Sequence, residues 1–266
     1  MAAFCVSAPV GARLFEYQTV DGFFGTATTV PDSLAERMRL KKSWRDGCPV
    51  SLSDLCYIAL SHWGFDGMPR SGELVMHKKL AVSVIEAFAD LFALRFPIEK
   101  MELMDQYDGD DIRSMEANNA SAFNCREITG KQGIWSKHAC GMAIDINPVQ
   151  NPYIIPKDDA LTAMGWNKKE GREDFLRRSG YDSASPVEKF CALHPGECLV
   201  LPSAGDAFKE RRQGIPGMFM PGSKEVAAFT DRGFAWGGGW QRLLDYHHFE
   251  FDSADLALSK EMADAG

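Results

Sequence analysis

An α+β domain, a small antiparallel sheet with helices packed on it, is the fold class that the sequence predicts, on three observations. One long segment carries a clear helical period, several short segments alternate apolar and polar residues, and the two kinds do not alternate as βαβ units. With 266 residues, 45% hydrophobic and 11% aromatic, the chain has ample material for a packed core.

In chain order, residues 1–71 are irregular by pattern and are expected to form an accessory flank. Within it "SLSDLCYIAL" predicts a short helix started by a Ser cap, and "HWGFDG" a turn. "HKKLAVSVIEAFADLFALRFP" predicts the longest helix, because Leu80, Val84, Ile85, Phe88, Leu91 and Phe92 recur at helical spacing before Pro97 stops it. "IEKMELM", "SAFNCREI" and "AIDIN" predict short strands, the last placing Ile144 and Ile146 on one face and Asp145 on the other. The main domain is expected over 72–255, with a loop-rich insertion at about 154–200 containing one helix near "GREDFLRRSG", and a tail at 256–266. "SKEVAAFTDRG" predicts a helix capped by Ser223 and stopped at Gly233, and "FAWGGGWQRLLDYHHFEF" a strand, a glycine turn and a strand.

A net charge of −8 and a pI near 5.3 argue against a nucleic-acid partner, which would require Lys and Arg to replace phosphate counterions. No apolar run approaches the length of a transmembrane segment, and the opening residues lack a signal-peptide pattern, so a soluble protein is expected. The seven cysteines are scattered without a C-x-x-C pair and read mostly as small buried side chains. Cys191 and Cys198 bracket a His-Pro-Gly turn, where a local disulfide would require an oxidising compartment. "DGDD" lacks the rest of a calcium loop and reads as solvated charge.

The chemistry concentrates in two stretches, "SKHACGMAIDINP" and "DYHHFE". Hydrolytic zinc sites take three His or carboxylate ligands and leave one position open, so ligands must converge from separate segments. His138 and Asp145 are two candidates. In the last strand His248 and Glu250 share one face and Phe249 and Phe251 the other, which makes His248 the third. His247 competes for that place, and the period with Glu250 favours His248. Glu250 reads as the carboxylate that orients a ligand. Asp245, three residues before His248, is placed to exchange a proton with water and leaving group. His62, His77 and His194 have no partner motif and read as ordinary histidines, while Asn118 and Asn119 read as turn-shaping residues.

"SKHACGMAIDI" resembles the Ser-x-His-x-x-Gly-x-Ala-x-Asp signature of the bacterial zinc D-alanyl-D-alanine carboxypeptidase and L-alanyl-D-glutamate endopeptidase family. "WGGGWQRLLDYHHFE" resembles its Trp-Gly-Gly … Asp-x-x-His-Phe-Glu ending, and "ANNASAFNCREITG" resembles one subgroup's segment before the histidine; the likeness spans roughly 72–252. The resemblance implies a hedgehog/DD-peptidase-like fold and a Zn2+ ion held by His138, Asp145 and His248, with Asp245 as catalytic base. It further implies Arg126 as the arginine that steadies the substrate carbonyl, with Arg113 as the competing candidate, and Ser136 as a substrate contact. His247 is left between a cleft-edge, substrate-binding place and a structural one. The substrate implied is a peptidoglycan stem peptide cut beside a D-amino acid, which favours a periplasmic or extracellular location. Carboxypeptidase and endopeptidase action both stay open, and a catalytically silent zinc-binding or wall-binding module is the alternative. The chain departs from the family in using Asp245 where one branch has Glu, and in "GGGW" where Gly-Gly-Asp-Trp is usual.

Overall fold

The computed structural model describes residues 11–128 and 131–252; the expected tail at 256–266 and Cys5 lie outside them. Strands β1 (Arg13–Gln18), β2 (Phe24–Thr29), β3 (Leu55–Trp63) and β4 (Pro69–His77) form an antiparallel sheet in that order, with helix α1 (Asp32–Leu40) between β2 and β3. Most of the segment predicted as a short helix is therefore β3. Its side chains go to two cores: Cys56, Ile58 and Leu60 to one, Leu55 and Tyr57 to another with Leu34 and Met38 of α1. A strand buried on both faces is a continuous apolar run, which periodicity alone does not separate from a helix. The boundary expected at 71/72 falls inside β4.

Helix α2 (Ala81–Ala93) forms as the spacing predicts, and Val84, Ile85, Phe88, Leu91 and Phe92 are buried in the core that it shares with β2, β3 and β4. The same core takes Ile144 and Ile146, Phe249 and Phe251, so the sheet flank and the candidate site share one interior. Burying each such large side chain contributes about 1.5–3 kcal/mol.

The segments before the first histidine are less regular than expected. Of "IEKMELM" only β5 (Lys100–Met101) is strand; helix α3 (Asp111–Glu116) follows, and β6 (Asn119–Ala120) pairs with β5 in parallel. "SAFNCREI" is not a continuous strand. Its backbone amides serve separate partners, Ser121 to Asp145, Phe123 to Val75 and Cys125 to Ser43, so no single ladder forms.

Beyond β7 (Ala143–Asp145), the insertion is more structured than loop. It contributes β8 (Tyr153–Pro156), α4 (Asp158–Ala163), α5 (Arg172–Leu176), α6 (Pro186–Leu193) and β9 (Cys198–Leu201), and a separate core of Leu161, Phe175, Leu176, Val187 and Phe190. Helices of five to eight residues display too little of a 3.6 period to be legible. Helix α7 (Lys224–Thr230) has the expected Ser223 cap, whose Oγ accepts from Val226 N at 3.3 Å, and Gly233 beyond its end at φ 87°. Strands β10 (Phe234–Trp236), β11 (Leu244–Asp245) and β12 (His248–Phe251) close the fold: β10-β12-β7 is one antiparallel sheet and β11-β8-β9 another.

Cys56, Cys125, Cys191 and Cys198 are buried, as most of the cysteines were expected to be, and two disulfides are formed. Cys191 and Cys198 are bridged, as their turn allows, and Cys48 is bridged to Cys125, 77 residues away, with Cα atoms 5.9 Å apart. The second pairing carries no local sequence signal. Loop-closure entropy assigns about 4.5 kcal/mol to the long bridge and about 2–3 kcal/mol to the short one. In the oxidised protein, Cys48→Ala/Cys125→Ala is thus expected to lower the urea midpoint more than Cys191→Ala/Cys198→Ala, as equilibrium unfolding will show.

Candidate metal centre

The two motifs meet across one strand pair. In the β12–β7 register His248 lies opposite Asp145, and Asp145 is also bridged on its other side to Ser121, its amide and carbonyl exchanging hydrogen bonds of 2.8 and 2.9 Å with that residue. His138 arrives on a 3-10 turn, Lys137–Cys140, whose N-terminal cap is Ser136: its Oγ accepts from His138 N at 3.3 Å. Gly141 ends the turn at φ 68°, and a methyl group there would lie 2.6 Å from His77 N. The glycine between His138 and Asp145 is therefore required both by conformation and by close approach to β4.

His138 Nε2 lies 3.1 Å from Asp145 Oδ2 and 3.3 Å from His248 Nδ1, which lies 2.9 Å from Asp145 Oδ1. All three residues are buried, and their ligand atoms fall within 4.8 Å of one another. The opposite ring nitrogens are engaged: His138 Nδ1 donates to the Ala122 carbonyl at 2.5 Å, and His248 Nε2 to Glu250 Oε2 at 3.1 Å. Such outer bonds fix which nitrogen of each ring faces the centre. Two imidazoles and one carboxylate, converging with their outer atoms satisfied, fit a metal ion of the zinc type.

The local charges support that fit. Burial raises the Asp145 carboxyl, but the His138 and His247 rings and the His248 hydrogen bond reverse this and hold it well below the usual range. Burial lowers both His247 and His248, and the carboxylates beside them more than compensate: Asp245 and Asp145 push His247 up to about 9, while Asp145 and Glu250 push His248 up to about 10. In metal-free protein these two rings therefore stabilise the fold fully below about pH 6.5, their ordinary value, and lose that contribution as pH rises through about 9 to 10. Chelated protein is expected to show a urea midpoint that falls across that window. A metal held by His248 would have to displace its proton, so affinity measured by calorimetry is expected to weaken as pH falls.

Asp245 sits on β11, in register with Tyr153 of β8, with its side chain 14% exposed. The glycine turn packs against it: a methyl group on Gly237 would lie 2.6 Å from the Asp245 carbonyl oxygen. His247 is buried, with Nδ1 donating to the Asn151 carbonyl at 2.8 Å and Nε2 2.9 Å from Asp245 Oδ1. Trp240 stands beside the centre, its ring centroid 5.4 Å from that of His248.

Arg126 lies next to Ser136 in the backbone, its carbonyl accepting from Ser136 N at 3.1 Å, while its guanidinium pairs with Asp111 of α3 at 2.7 Å. Its Nε is buried without a hydrogen-bond partner. Arg113 instead pairs with Asp108 at the surface. Asn118 and Asn119 do shape the backbone: Asn118 Oδ1 accepts from Val149 N at 2.9 Å, and Asn119 bonds Glu102 N and O at 2.8 and 3.0 Å. His62, His77 and His194 make local contacts with Trp63, Lys79 and Tyr181. The sequence offered no signal for Asp111, for the Ala122 carbonyl, or for Asn151, a fully buried side chain bonded to three separate segments.

His138, Asp145 and His248 form a buried set that could hold a metal ion, and Asp245 lies on β11, the strand that precedes β12 in the chain. Residues 129–251, which contain all of these groups, match the family model described as D-alanyl-D-alanine carboxypeptidase, of the M15 peptidases. The resemblance carried by the two motifs is borne out over that segment. The match begins after Arg126. No curated protein and no solved structure matches the chain.

Proposed function

We propose that this protein is a zinc-dependent peptidase of bacterial peptidoglycan that removes a terminal D-alanine from stem peptides, outside the cytoplasmic membrane. The observation that carries the reading is the convergence of His138, Asp145 and His248 on one point, with Asp245 on β11, the strand just before β12 in the chain; the family description supports the D-alanyl-D-alanine bond. A hedgehog/DD-peptidase-like fold belongs to the same proposal. When bound, zinc supplies Lewis acidity for the scissile carbonyl and lowers the pKa of water to near 7.

The chain's own groups do the rest. Asp145 and the two imidazoles present a fixed donor set, aligned by Ala122 and Glu250. Asp245 takes a proton from the attacking water and delivers it to the leaving amine. Arg126 steadies the negative charge that develops on the carbonyl oxygen, its orientation held by Asp111. Ser136 keeps the His138 turn in place and lines the approach to it. Arg126→Ala is expected to lower kcat by about 100- to 1,000-fold with metal content intact; a fall in stability alone, measured by thermal unfolding, would make it a structural arginine.

The reading is tested by digesting two stem peptides, one ending in D-alanyl-D-alanine and one lacking the last residue, and identifying products by mass spectrometry. Release of a single D-alanine from the longer peptide alone is expected. Cleavage inside both peptides would replace the carboxypeptidase with an endopeptidase, and no chelator-sensitive product from either would favour a silent binding module.

A further inference from the structure

We infer that His247 is the positioning residue for Asp245, holding its carboxylate at the angle from which it serves the reaction; this rests on the reading of Asp245 as the base. Among the described residues, His247 is the one basic side chain within ion-pair distance of Asp245, its Nε2 2.9 Å from Oδ1, an atom that is buried and has no aligned hydrogen-bond partner. Gly237 packs against the Asp245 main chain and fixes its backbone, but leaves χ1 to be set by the charged group facing the carboxylate. The β11 pairing with Tyr153 and Ile154 likewise fixes the strand and not the side chain.

The other end of the His247 ring is anchored deeply. Nδ1 donates to the carbonyl of Asn151, a residue with no exposed surface. The Asn151 amide oxygen accepts from Arg211 Nη1 at 3.0 Å and Phe219 N at 2.8 Å. Its amide nitrogen donates to the carbonyls of Ile146, Asn147 and Gly217 at 3.2, 3.2 and 2.8 Å. Arg211 is in turn bonded to the Gln150 carbonyl at 2.7 Å and stacked over the Tyr246 ring at 4.2 Å. A rigid polar cluster therefore grips one nitrogen of the ring and presents the other to Asp245. His247 Nε2 stands 3.9 Å from Asp145 Oδ1, beyond hydrogen-bond distance, so its nearer carboxylate is that of Asp245.

Two substitutions separate this role from a packing role. A glutamine amide reaches the place of Nε2 and keeps the donor to Asp245, whereas an asparagine amide reaches the place of Nδ1 and keeps only the bond to Asn151. His247→Gln is expected to retain metal and to stay within about fivefold of native kcat, while His247→Asn retains metal and KM and loses on the order of 100-fold in kcat. Crystal structures of both variants should show the Asp245 carboxylate in its native position with Gln and rotated away with Asn. An Asn variant as active as the Gln variant, or Asp245 unmoved in both, overturns the inference. Should the native protein cleave nothing, the proposed function fails, while the carboxylate orientation in the two crystal structures still decides the positioning role.

Discussion

Asp245→Asn is expected to bind metal as the native protein does and to lose about 100- to 10,000-fold in kcat, the range that a positioned general base contributes. The substitution is nearly isosteric, so the packing of Gly237 against the main chain and the pairing of β11 with β8 persist. An amide oxygen cannot take up the proton of the attacking water. The substitution removes the charge that faces His247, so metal-free protein should lose some stability while keeping its fold. Metal analysis alongside steady-state kinetics checks both halves: unchanged turnover would remove Asp245 from the base role, and lost metal would make it a ligand.

Asp145→Ala carries the second large effect. This carboxylate touches both His138 and His248, at 3.1 and 2.9 Å, and is the single anionic member of the set. Without it two buried imidazoles face each other, and metal binding is expected to be lost at micromolar concentration. Metal that binds only the folded chain stabilises it by about 4 kcal/mol when free metal is a thousandfold above Kd. Thermal unfolding of the native protein should therefore shift upward on metal addition, and that of Asp145→Ala should not move. A shift preserved in the variant would place the metal elsewhere.

The site was more legible in the sequence than the scaffold around it. The strand period set His248 and Glu250 apart from Phe249 and Phe251, and the structure puts the two phenylalanines in the core and the Glu250 carboxylate on the His248 ring. The helix over 81–93 and the Ser223 cap were legible for the same reason: local patterns state them directly. What escaped was set by distant partners. Strand β3 looked helical because both of its faces are covered, by α1 and by α2. The Cys48–Cys125 bridge joins segments with nothing in common along the chain. His247 could not be placed from alternation, because it lies between β11 and β12, where the chain turns and the Asn151 carbonyl captures its ring.

The most direct measurement is reconstitution: zinc is added stepwise to chelated protein while release of D-alanine from a stem pentapeptide is followed. Turnover should rise linearly and reach its plateau at one equivalent, with Asp145→Ala inactive throughout. Full activity before any metal is added, or a saturated His138–Asp145–His248 site with no released D-alanine, would contradict a metal-dependent carboxypeptidase.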